Sequence, residues 1–125
     1  MQRKTLTFWG ANEDDDSLVK TVIDGSKTVT CDLEEEYNQY ENGGYCSGDI
    51  VEVWDLQNTL RCIIEITKVH PITFDNIPEE VWQGETFTSA KEFQDVHIKC
   101  MPDVPLTRRS VFIAIHFKLL EVVKN

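Results

Sequence analysis

Apolar side chains recur along the chain in two periods, and the changes between them mark out the elements. Residues 5–9 (TLTFW) have strand composition. Beyond the acidic NEDDD, Leu18, Val19, Val22 and Ile23 fall on one helical stripe, with Lys20 late and Gly25 just past the end, which predicts a helix. KTVTCDL returns to β-favouring residues, and EEEYNQYENGGYCSGD, with Gly43, Gly44 and Gly48, reads as a short helix followed by a loop. Two strands, 50–54 and 60–69, flank a turn at Gln57 and Asn58 and predict a hairpin. The stretch HPITFDNIPEEVWQGETF is the least regular, with two prolines and single helical turns. Ser89 and Glu92 then form an S-x-x-E capping box, and Phe93, Val96 and Cys100 at i, i+3 and i+7 predict a helix over 90–99 that Pro102 closes. Finally, SVFIAIHFKLL is nearly continuous in apolar residues, as in a central strand buried on both faces, with Ile113, Ile115 and Phe117 in the core.

About five strands with few helices predict a β-rich α+β fold built on a small mixed sheet or barrel. A length of 125 residues fits one domain, 1–125. No apolar run approaches the roughly 18 residues of a membrane span, and the amino terminus lacks a long apolar segment followed by a small-residue cleavage site. The expectation is a soluble cytoplasmic protein with no membrane partner. Twelve basic against 22 acidic side chains give a net charge of -10. This charge repels polyanions, so any contact with nucleic acid must be local. Cys31, Cys46, Cys62 and Cys100 are too widely spaced for a C-x-x-C zinc pattern and are expected as buried free thiols. His70, His97 and His116 are scattered without metal-ligand spacing, so no metal or other cofactor is expected.

Candidate chemistry centres on Lys27. Gly25 can take the positive φ that ends a helix, after which Lys27 projects from the turn into the next strand. Spacing alone reads Lys27 as an exposed lysine and Thr30 as a strand threonine. Three positions apart, they face opposite sides of a regular strand, and they converge only where Lys27 sits in the turn before the strand begins. Trp9, Trp54 and Trp82 read first as core filling, with Trp9 and Trp82 the better candidates for the wall of a ligand pocket. Arg108 and Arg109 are the one adjacent basic pair beyond the amino terminus, either an exposed loop or a phosphate contact.

The string Gly25, Lys27, Thr30 is a G-x-K-x-x-T, and its place after a first strand and helix resembles the ASCH domain family, small barrels similar to RNA-binding PUA domains. The resemblance continues through TFWG, TCDLEEEY, Gly48-Asp49, RCIIEITKVHPITFDNIPEE and WQGETFTSAKEFQDVH. It implies a small PUA-like β-barrel of five to six strands with two or three flanking helices. It also implies a polar pocket for a nucleoside, nucleotide or RNA, with Gly25 among the binding positions. One bacterial subgroup removes the acetyl group of N4-acetylcytidine, and other members cut or bind RNA. Carried over by motif, the catalytic set is Lys27, Thr30 and Glu85, with Glu79 and Glu80 near enough in sequence to take the place of Glu85. Amide hydrolysis needs a nucleophile, a proton acceptor and a donor to the leaving amine, roles that Thr30, Lys27 and Glu85 can fill. The chain departs from the resemblance at Ile115, apolar where many bacterial members carry an acid.

Overall fold

Residues 3–40 and 43–124 are described in the computed structural model. Its strands are β1 (Lys4–Thr7), β2 (Val29–Leu33), β3 (Ile50–Trp54), β4 (Leu60–Thr73) and β5 (Val111–Val122); its helices are α1 (Ser17–Ile23), α2 (Glu34–Tyr37), α3 (Glu79–Gly84) and α4 (Ala90–Cys100). The strands form one sheet in the order β1-β3-β4-β5-β2. β1 runs parallel to β3, and the other neighbours are antiparallel. The expected barrel is a curled half-barrel with β1 and β2 at its edges. Register shifts at Val53/Trp54, Ile63/Ile64 and Ile66/Lys68 supply the curl, because a bulge adds twist to the strand that carries it.

The β3–β4 hairpin turns through Asp55, whose carboxylate accepts from the backbone N–H groups of Gln57 and Thr59, with Asn58 at φ 60°. β4 runs on past the expected end at residue 69, because Lys68 to Thr73 pair with β5 despite Pro71. Among the described residues four helices flank the sheet rather than two or three, since the proline-flanked segment closes into α3.

Alternation along the strands splits the apolar residues into two cores. Val51, Val53, Ile64, Ile66, Ile113, Ile115 and Phe117 pack under Val19 and Val22 of α1 on one face. Val29, Ile72, Phe112 and Ala114 meet Val81 of α3 and Phe93 of α4 on the other. β5 thus contributes to both cores, as its unbroken apolar run requires. Ser89 caps α4 by accepting from the N–H of Glu92. The buried stripe of α4 differs from expectation: Phe93 is buried and Ala90 and Met101 pack beside it, whereas Val96 and Cys100 are exposed. His97 takes the inward place, stacked on Phe93 at 4.0 Å with Nδ1 2.7 Å from the Phe93 carbonyl oxygen. All four cysteines are free, but only Cys62 is buried; Cys31 is half-buried and Cys46 and Cys100 are exposed.

Candidate functional site

Just past the end of α1, Gly25 is held at φ +86°, where any side chain would be strained. The N–H of Lys27 then donates to the carbonyl of Thr21, which folds the chain back before β2 begins. Lys27 is therefore outside the strand alternation. Its side chain is 3% exposed, against the solvent-exposed lysine that spacing alone suggests. Its Nζ lies 5.8 Å from the centre of the Phe8 ring and donates to Glu85 Oε1 at 3.2 Å.

Glu85 arrives from the opposite direction, as the cap residue of α3. That helix docks on β2 through Gly84, where a Cβ would stand 2.4 Å from Val29 Cγ2 and 2.9 Å from the Thr28 hydroxyl. The Gly84 carbonyl accepts from the N–H of Thr28 at 2.8 Å. The close approach that only glycine permits brings the next side chain, Glu85, against Lys27. The Glu85 side chain is 8% exposed, and its Oε2 is buried without a hydrogen-bond partner among the described residues. Glu79 and Glu80 point elsewhere, Glu79 to Gln83 and Glu80 to Lys68.

Thr30 lies on β2 opposite Ile115, and Asp32 lies opposite Ile113. Directly paired residues share a face, so Thr30 and Asp32 stand on the side of the sheet that carries Ile113 and Ile115. Tyr40 donates its hydroxyl to Asp32 Oδ2. Burial lifts the Asp32 carboxyl above its ordinary range, against the pull of that hydrogen bond, and the charge of Glu85 acts in the same direction as burial. Burial likewise raises the Tyr40 hydroxyl well above its usual value, with the bond to Asp32 adding to it. Cys31, on the opposite face of β2, has its thiol pushed far up by burial and then by the charge of Glu85. The groups around Lys27 thus form one low-dielectric cluster. Sequence reasoning missed Asp32, Tyr40 and Cys31, although the TCDL run following the motif contained two of them.

The remaining candidates are dispersed. Trp9 is 65% exposed, and Trp82 packs against the second core. Gly25 and Arg109 are exposed. Arg108 lines a separate groove with Phe74, Gln94 and Ile98. Ile115 is fully buried beside Thr30 on the neighbouring strand, so an acid there would face the first core. Two of the three histidines, expected to be scattered, come together, while His97 lies apart on α4. His70 on β4 and His116 on β5 stack with their Nε2 atoms 2.8 Å apart. Burial, and then the charge of His70, holds His116 below its ordinary pKa.

No helix among the described residues is long and apolar enough to cross a membrane. No curated protein matches the chain significantly. Among solved structures it is similar to a protein of Enterococcus faecalis V583, with a TM-score of 0.81 at 18% identity over 98% of this chain and 78% of the other. It is also similar to the ASCH domain from Lactobacillus crispatus JV V101, with a TM-score of 0.76 at 20% identity over 94% and 80% of the two chains. An ASCH mutant protein from Zymomonas mobilis aligns at a TM-score of 0.56 with 7% identity, over 96% of this chain and 72% of that one. These likenesses establish the fold. The ASCH domain model matches residues 5–121, nearly the whole length, and the chain belongs to the ASCH domain family.

Proposed function

We propose that the protein binds a nucleoside at the Lys27–Glu85 pair and hydrolyses the exocyclic amide of N4-acetylcytidine. The observation that carries this reading is the pairing of Lys27 with Glu85 across 58 positions with both side chains buried. A buried ion pair with an unfilled carboxylate oxygen is a costly way to hold two elements together, since an apolar pair of similar volume usually serves stability as well or better. Its chemistry is more specific. One proton passed from Lys27 Nζ to Glu85 Oε1 gives an amine and a carboxylic acid, the base and the acid that amide cleavage requires.

In the reaction, Thr30 Oγ forms a bond to the acetyl carbon while its proton goes to Lys27. The carbon–nitrogen bond breaks as Glu85 protonates the leaving N4, which releases cytidine and leaves an acetyl-threonine. Water then gives a proton to Glu85 and attacks the ester, Lys27 returns its proton to Thr30 Oγ, and acetic acid departs, ionising to acetate in solution. The low-dielectric surroundings strengthen each of these interactions relative to water. A net charge of -10 favours a small neutral nucleoside over a polyanion.

The test is acetate release from N4-acetylcytidine by the purified protein. Thr30→Val, which keeps the shape and removes the hydroxyl, and Glu85→Gln should each lose most of the rate, because groups acting as a unit fail together. A wild type that binds the nucleoside in a salt-independent manner without releasing acetate would reduce the site to a binding pocket. Full activity in Thr30→Val would assign the attack to water.

A further inference from the structure

The histidine pair lies outside the Lys27 cluster, and its surroundings are built rather than accidental. Lys68 of β4 pairs with His116 of β5 after the Ile66/Lys68 register shift, and His70 pairs with Ala114. His70 and His116 are therefore diagonal neighbours on one face of the β4–β5 ladder, a separation that imidazole rings span. The first turn of α3 sets Glu80 over them, its Oε1 3.9 Å from His70 Nε2. The three potential ligand atoms all fall within 4.8 Å of one another.

From this juxtaposition we propose that His70, His116 and Glu80 form a binding site for a divalent transition-metal ion of the zinc class. Two imidazole nitrogens on a tetrahedral ion at about 2.0–2.1 Å stand roughly 3.3 Å apart. The two rings, at 2.8 Å, reach that spacing by a side-chain adjustment of about 0.5 Å. Glu80, with its ligand atom within 4.8 Å of both rings, closes in by up to about 1.5 Å, a rotation its exposed side chain permits. Its present partner, Lys68 Nζ at 2.9 Å, is half-exposed like Glu80 itself and holds it weakly, as surface pairs do. Nitrogen and carboxylate donors suit zinc, cobalt or nickel rather than magnesium or calcium. With three protein ligands a fourth position stays open, and a concavity of about 320 Å³ lined by His70, Thr73 and Asn76 begins beside the pair. The site belongs to the second core's side of the sheet and does not depend on the reading of Lys27.

Cobalt(II) titration of the purified full chain tests the proposal. One equivalent should produce the visible absorption of a four-coordinate nitrogen–oxygen site, without a thiolate charge-transfer band. His70→Gln and His116→Gln should each abolish it, and Glu80→Gln should weaken binding by about tenfold or more. Circular dichroism checks that the variants are folded. Independently of any variant, zinc added to isotopically labelled wild type should move the ring nitrogens of His70 and His116 and leave His97 unchanged. No cobalt spectrum in the wild type, a spectrum that survives both histidine substitutions, a thiolate band from Cys46 or Cys100, or unmoved His70 and His116 resonances would each overturn it.

Discussion

Replacing the Lys27–Glu85 pair one member at a time, and then together, separates its structural from its chemical purpose. Lys27→Met keeps the stem and removes the cation. It leaves Glu85, 8% exposed and already without a partner for Oε2 among the described residues, as a buried charge with no counter-ion. Breaking such a pair costs about 3–5 kcal/mol. Glu85→Leu strands Lys27, 3% exposed, at a similar cost of about 3–5 kcal/mol. The double variant removes both charges and should range from neutral to more stable by about 1–4 kcal/mol, as when buried pairs are exchanged for apolar residues. The two single costs must therefore fail to add, with a coupling of about 6 kcal/mol or more, well beyond the roughly 0.5–3 kcal/mol usual between touching residues. Urea unfolding followed by tryptophan fluorescence measures all four proteins, and unchanged slopes license the comparison. Single costs under about 1 kcal/mol, or costs that add, would show a hydrated pair and refute the reasoning. A double variant that is more stable than wild type yet inactive would show a pair retained for its chemistry.

Phe117→Ala should cost about 3–5 kcal/mol, because Phe117 is 4% exposed within the first core; a loss under about 1 kcal/mol in the same urea assay would mean that the core lies elsewhere. Gly84→Ala should destabilise by about 1–3 kcal/mol and lower acetate release, since its Cβ would meet Val29 Cγ2 at 2.4 Å; adding Val29→Ala should recover part of the activity, because it removes that contact and leaves the Thr28 hydroxyl at 2.9 Å. His116 has a folded pKa depressed below 6.5 by burial and by His70. The unfolded chain binds that proton more readily, so its stabilising contribution is complete above about pH 6.5 and is lost as pH falls from there towards the folded value. His116→Gln should flatten this part of the melting-temperature profile, and an identical profile in both proteins would refute the assignment.

Local signals were the readable part of the sequence. The stripe of α1, the Ser89 cap and the two-faced run of β5 each follow from residues a few positions apart, and each stands in the fold as expected. The departures come from long-range geometry. Burial of Lys27 depends on Gly84 admitting α3 onto β2, and the spacing of Lys27 to Thr30 carries no trace of that approach. The histidine pair depends on the register of β4 against β5, where an irregularity at Ile66/Lys68 decides which residues sit diagonally. A polar residue at a helical i+4 position, His97, displaced Val96 from the buried stripe because its ring stacks on Phe93 and its Nδ1 meets a carbonyl oxygen.

The sheet order also has a kinetic side. The β3–β4 hairpin closes over a short turn, whereas β2 pairs only with β5, joining residue 29 to residue 116. Closing so long a loop is entropically expensive and slow, and it comes after local pairing. Lys27 and Thr30 therefore gain their surroundings in the closing step of folding, when the last strand is in hand. Substitutions around them should hasten unfolding and leave the folding rate nearly untouched. A ribosome-bound chain that has not yet exposed β5 would carry every catalytic candidate and still have no assembled site.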